Sequence, residues 1–117
     1  MFEFQKLEVY KKAKLFHLNC NKLLDEIKPN RTVKDQLTRA SFSVALNIAE
    51  GSGRFTKPDR RNFFVISRGS VFECVSILDI LHDTKELETQ KFQELLFIAD
   101  ELSRILYAMI NNLSKMA

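Results

Sequence analysis

Apolar residues recur at alternating spacings of three and four in four separate runs along the chain, and no other feature limits its folding so strongly. That period lays one apolar stripe along an α-helix and suits the interlocking packing of coiled coils. The first run is Val9, Ala13, Phe16, Cys20, Leu23 and Ile27, and it stops at Lys28-Pro29-Asn30, because proline disfavours helical geometry in the residue before it. The second opens with Thr32 and Asp35 in capping-box spacing, carries Val33, Leu37, Ala40, Val44 and Ile48, and ends at Gly51-Ser52-Gly53. Its later part is rich in small residues, so a neighbouring helix can approach closely. The third starts near Thr56-Lys57-Pro58-Asp59, where a threonine cap, an acid three residues on and a proline in the first turn agree. The fourth runs Phe92, Leu95, Leu96, Ala99, Leu102, Leu106, Met109 and Leu113 to the C-terminus, after the polar connection His82 to Glu88.

No segment alternates with period two, and no Asn-Gly or Asp-Gly hairpin turn occurs. Short connections make successive helices antiparallel neighbours, so the expected fold is all-α, an up-down-up-down four-helix bundle. Its 117 residues suit a single domain over residues 1–117 with a core that needs no disulfide or structural metal.

The third helix carries two stripes. One is Arg60, Phe64, Ser67, Val71, Cys74, Leu78 and Leu81; the other, read as lying on the opposite side, is Ile66, Gly69 or Ser70, Glu73, Ile77 and Ile80. A four-helix bundle covers only one side of a helix, so the second stripe is expected to be an interface between copies of the chain. Glu73 within that stripe should pair with a cation or accept hydrogen bonds, since a lone buried carboxylate is costly, and Asn47 poses the same problem more mildly.

Charge is unevenly distributed. Residues 1–68 carry fourteen Lys or Arg against seven acids, whereas residues 69–117 carry four against eight. Within the first part, Arg54, Lys57, Arg60, Arg61 and Arg68 face Asp59 alone; residues 73–101 hold eight acids against Lys85 and Lys91. One end or face should therefore be basic and another acidic, and the basic one suits an anionic partner. Arginine forks match phosphate oxygens, so these five cations, with Phe55 and Phe72 nearby, are the candidate nucleic-acid-binding residues. The competing expectation is a solvated face with internal ion pairs, such as Arg54 or Arg68 with Glu50 or Glu73.

Catalytic chemistry finds little support. A di-iron bundle needs two Glu-x-x-His pairs and two further carboxylates, and the chain offers only Asp79-Ile80-Leu81-His82, while His17 has Lys14 three residues before it. Neither histidine has an identifiable serine or cysteine partner, and Ser41, Ser43, Ser67, Ser70 and Ser76 lie within helices, where small residues mean close packing. Gly51-Ser52-Gly53-Arg54 follows a helix rather than a strand and lacks the Gly-Lys-Ser/Thr ending of a phosphate loop. The expectation is a protein without catalytic residues, metal or cofactor. Cys20 and Cys74 fall on core stripes, no signal peptide is evident and no stretch has the roughly 18 uncharged apolar residues of a membrane span, so reduced thiols, a cytoplasmic setting and no membrane contact are expected.

The run Arg39-Ala40-Ser41-Phe42-Ser43-Val44-Ala45-Leu46-Asn47-Ile48-Ala49-Glu50-Gly51-Ser52-Gly53-Arg54 resembles the bacterial four-helix-bundle proteins named after intervening sequences in ribosomal RNA genes, the 23S rRNA-intervening sequence protein family. Phe63-Phe64-Val65-Ile66-Ser67-Arg68-Gly69-Ser70-Val71-Phe72-Glu73 matches as well, as do Phe4, Leu7, Val9, Tyr10 and Ala13. One departure is Ala45, where the family commonly has proline, which should straighten the second helix. The resemblance extends to the accessory variability determinant proteins of diversity-generating retroelements, pentameric bundles with basic surfaces that bind nucleic acid and a reverse transcriptase. It implies a homo-oligomer, as a pentamer, with RNA or DNA as ligand and a protein such as a reverse transcriptase as partner. The rival from another class is a protein-binding scaffold or accessory subunit with no nucleic-acid contact.

Overall fold

Each apolar run forms a helix, and the punctuation residues set its ends. In the computed structural model, which describes residues 1–115, a 3-10 turn (Glu3–Lys6) leads into α1 (Glu8–Ile27), followed by α2 (Arg31–Ser52), α3 (Lys57–Asp83) and α4 (Thr89–Lys115). The expected continuation of the fourth helix through Met116 and Ala117 lies outside the described residues. α1 ends where Lys28, next to Pro29, takes a left-handed backbone (φ 48°) and its N–H closes on Leu24 O. This turn is so tight that α2 starts at once. Its cap is therefore Asn30, whose side-chain oxygen accepts the Val33 N–H at 2.9 Å, and not Thr32, which already lies in the first turn. Thr56 caps α3 as expected, accepting the Asp59 N–H at 3.2 Å with Pro58 in the first turn.

Around the bundle, α1 packs on α2, α2 on α3, α3 on α4 and α4 back on α1, while no Cα of α1 comes within 8 Å of α3, nor any of α2 within 8 Å of α4. This is the predicted up-down-up-down four-helix bundle. Its long dimension of 45 Å follows from the 27-residue helices α3 and α4, each about 40 Å long at 1.5 Å per residue. Phe16, Leu37, Ile48, Leu78, Leu102 and Leu106 are fully buried at the centre, and Leu87 closes the end at the α3–α4 connection.

The close neighbour anticipated for the small residues of α2 is α3. Ser67 Oγ donates to Val44 O at 2.8 Å, and the hydroxyls of Ser43 and Ser70 share a hydrogen bond of 2.8 Å. A Cβ at Gly51 would sit 2.8 Å from the Phe64 ring and 3.0 Å from Phe63 Cβ, so only glycine permits this approach.

Packing corrects the reading of α3. At roughly 100° per residue the second stripe lies about 110° from the core stripe, alongside α2, and not on the opposite side. Ser70 is consequently buried within the chain, its hydroxyl also donating to Ile66 O, and Ile77 packs against the core. Ile66, Gly69, Glu73 and Ile80 remain exposed. Glu73 needs no partner because it is solvated, and it has no ion pair among the described residues. Asn47 donates to Ser43 O and Oγ, both at 2.9 Å, a local bracket on α2. Arg60, placed by sequence on the core stripe, is exposed at the start of α3. Among the described residues, no helix is long and apolar enough to cross a membrane.

Candidate nucleic-acid interface

The α2–α3 turn and the first turns of α3 bring Arg54, Lys57, Arg60 and Arg61 to one end of the bundle, all exposed. The arginines are braced from within the chain. Arg54 pairs with Glu50 at 3.2 Å and stacks over the Phe63 ring, 4.6 Å from its centroid. Arg60 Nε donates to Arg54 O at 2.7 Å, and Arg61 Nε donates to Ser114 Oγ of α4 at 2.6 Å. Of the internal ion pairs considered from sequence, Arg54 with Glu50 forms. Arg68 instead sits two turns further along α3, where its Nε donates to Ser103 O at 3.1 Å and its guanidinium lies over the rings of Phe72 and Tyr107, 4.7 and 5.3 Å from their centroids.

The structure adds features that no spacing in the sequence announces. Phe55, at the tip of the α2–α3 turn, is 99% exposed. Arg54 and Phe55 border a cleft with Phe2 and Phe4 of the amino-terminal segment, and Arg60 borders a second with Lys6. The turn holds Phe55 away from the core, in a cleft that it shares with Arg54 and with the acids Glu50 and Asp59. Lys115 also lies at this end, next to the Ser114 that holds Arg61, although it is remote in sequence. The acids of residues 73–101 occupy the later half of α3, the α3–α4 connection and the first half of α4, toward the opposite end, so the chain is electrically polar along its length.

Other chemistry-bearing groups lie inside. His17 does have a serine partner, contrary to the sequence reading, because α1 and α2 adjoin. Asn21 Nδ2 donates to His17 Nε2 at 3.2 Å, which leaves Nδ1 to carry the proton and donate to Ser41 Oγ at 2.8 Å. Burial lowers the His17 pKa below its usual 6.5 and so favours this neutral ring. Ser41 is 0% exposed and passes its own hydrogen to Thr38 O at 3.2 Å, so its hydroxyl cannot meet a substrate. Burial pushes the Cys20 thiol up to about 12. Burial raises Cys74 most, followed by its electrostatic interactions with Cys20 and with the Glu73 carboxylate. Both thiols are buried and free. His82 Nε2 meets Thr89 Oγ1 at 3.0 Å and its ring stacks on Phe92, a bracket on the α3–α4 connection. Among the described residues no three His, Cys, Asp or Glu side chains gather as a metal site.

Helix order, closed neighbour packing and a cationic pole define the class: an all-α up-down-up-down bundle with a polarised surface. Residues 5–108 match the model of the 23S rRNA-intervening sequence protein family, and the chain belongs to that family. Its fold is similar to that of a solved protein of unknown function from the S23 ribosomal protein family of Bacteroides thetaiotaomicron, with a TM-score of 0.82 and 20% identity over 87% of this chain and 97% of the other. No functionally curated protein matches the chain.

Proposed function

We infer that this protein is a non-enzymatic nucleic-acid-binding bundle that works as a homo-oligomer. The observation that carries the reading is the end of the bundle where one turn and the start of one helix present Arg54, Lys57, Arg60 and Arg61 together with the exposed Phe55. Guanidinium groups fix phosphate oxygens, and an exposed ring offers a face for an unpaired base. Because the arginines are already held by Glu50, Arg54 O and Ser114, their binding sacrifices less side-chain freedom than that of unbraced side chains.

Self-association multiplies these contacts, and a ring of five, as the family resemblance implies, would set five basic ends side by side. Supporting it are the solvated apolar side chains Ile66 and Ile80 and the exposed Gly69, whose Cβ position has nothing within 4 Å in the chain itself. A glycine there costs helix stability with no intramolecular return. Light scattering after size exclusion tests this: a single-chain mass at micromolar concentration would refute self-association, and Gly69→Leu is expected to reduce the mass.

Binding to a generic RNA or duplex, titrated against salt, tests the ligand. Removing one cation that meets a phosphate should lower the slope of log affinity against log salt by roughly 0.7 to 0.9. Arg61→Glu is expected to abolish binding with helicity intact, largely regardless of base sequence. Arg31→Glu, at the opposite end of α2, is the control and should have little effect. Absence of salt-dependent binding at low ionic strength would leave the basic end as solvated surface and favour a protein-binding scaffold.

A further inference from the structure

The cationic pole continues into a groove. Between α3 and α4 runs a cleft of about 540 Å³, within the size range of small-molecule sites. Its lining is chiefly apolar, with Phe72 and Val75 from α3 and Leu96 and Phe97 from α4. Phe97 is 73% exposed and Phe72 is 55% exposed. Arg68 stands at the mouth nearer the basic end, its guanidinium over the Phe72 and Tyr107 rings and its Nε fixed to Ser103 O. It forms no ion pair with any carboxylate among the described residues, so a braced, half-buried cation without a counter-ion stands beside a groove whose Phe97 ring is exposed.

Such a groove matches a ligand that carries anions and apolar rings together. Arg61 and Arg68 are seven residues apart on the same side of α3, about 10 Å along its axis, so the cations at the end and at the groove mouth form one track. Asp100, within the groove, is neutralised by Arg104 at 3.1 Å. Asp79, further down α3, has no ion pair among the described residues and opposes any phosphate beyond that point. Charge thus falls from positive to negative along the groove, which suits a chain whose phosphates end near Arg68. A duplex hides its base faces in its own stack and cannot fill an apolar cleft between helices.

We propose that this groove binds unpaired nucleotides of a single-stranded nucleic acid, with a phosphate on Arg68 and roughly one or two bases stacked against Phe72 and Phe97. The proposal rests on the nucleic-acid reading of the basic end and specifies what kind of nucleic acid it takes.

The test uses the full chain with a fluorescein-labelled single-stranded RNA of ten nucleotides and a duplex of the same length, both titrated at several salt concentrations. Single strands are expected to bind more tightly. Phe97→Ala, at an exposed position that leaves the core untouched, should weaken single-strand binding roughly 5- to 100-fold with an unchanged salt slope and leave duplex binding as it was. An RNA carrying 2-aminopurine should be quenched on binding the wild type and much less on binding Phe97→Ala. Equal affinity for both RNAs, with Phe97→Ala without effect and Arg61→Glu abolishing both, would overturn the groove proposal and return the cleft to a protein partner while the basic end stood. A smaller mass of Phe97→Ala by light scattering would show that the groove holds a second copy, and also overturn it. No binding of either RNA by the wild type would remove both readings.

Discussion

Two glycines in adjoining helices should respond to the same substitution with opposite sign. Replacing a glycine by alanine in a helix interior gains about 1 kcal/mol from intrinsic propensity. At Gly69, in the middle of α3, a new Cβ meets nothing within 4 Å, so Gly69→Ala should keep most of that gain. Stability should rise by about 0.5 to 1 kcal/mol, or about 4 °C in Tm. At Gly51 the propensity gain is smaller because the residue lies in the last turn of α2. There the new methyl would stand 2.8 Å from the Phe64 ring and 3.0 Å from Phe63 Cβ, and Phe64 is a core residue at 5% exposure. Overpacking of that kind costs about 1 to 3 kcal/mol, so Gly51→Ala should end about 1 kcal/mol below the wild type. Urea denaturation followed by circular dichroism, at the lowest usable protein concentration, reads both. Gly51→Ala as stable as the wild type would refute the tight α2–α3 contact. Gly69→Ala less stable than the wild type at concentrations where both are single chains would refute the open surround of Gly69.

Other outcomes follow from the interior. The folded state holds His17 neutral below the pH at which an unfolded histidine protonates, so stability should be level above about pH 6.5 and fall as pH drops through and below it; the urea midpoint of His17→Gln should fall less between pH 8 and pH 5 than that of the wild type. Neither thiol should react with Ellman's reagent at pH 8 without denaturant, because burial holds both largely protonated, Cys20 with a pKa of about 12. Oxidation should yield no internal disulfide, since α1 and α3 approach no closer than 8 Å between Cα atoms and the bond requires roughly 4.4 to 6.8 Å. Ser67→Ala should cost about 1 kcal/mol by removing the bond to Val44 O, checked by the same denaturation; an unchanged stability would mean that packing alone holds the two helices equally well.

The helices are legible in the sequence because their signals are local. Pro29, Pro58, Thr56 and the Gly51–Gly53 segment act on the backbone where they stand, and the apolar stripes need only their own helix to be recognised. The α2 cap falls on Asn30 rather than Thr32 although both suit the role, because the choice depends on how sharply Lys28 turns the chain. The surroundings of Ser70 and His17 are hidden for a different reason. A helical period gives the angle of a side chain but not the flank on which a neighbour lies, so Ser43 opposite Ser70 and Ser41 opposite His17 emerge only from assembly. The basic cluster is readable as a run of charge, while its bracing by Ser114 and the groove between Phe72 and Phe97 join residues many positions apart.

The ring of neighbours also governs how the chain reaches this state. Three of the four packed helix pairs are consecutive in sequence, and only α1 against α4 closes a long loop. Contacts of short separation sacrifice little chain entropy when they form, so this topology favours rapid folding. The α2–α3 hairpin, with its short turn and serine contacts, is suited to form early, and docking of α1 on α4 has the largest entropic cost. A substitution that weakens α1 against α4, such as one at the Lys12–Glu101 pair across it, should therefore act on this closing step, whereas damage at Gly51 reaches the hairpin on which the later steps build.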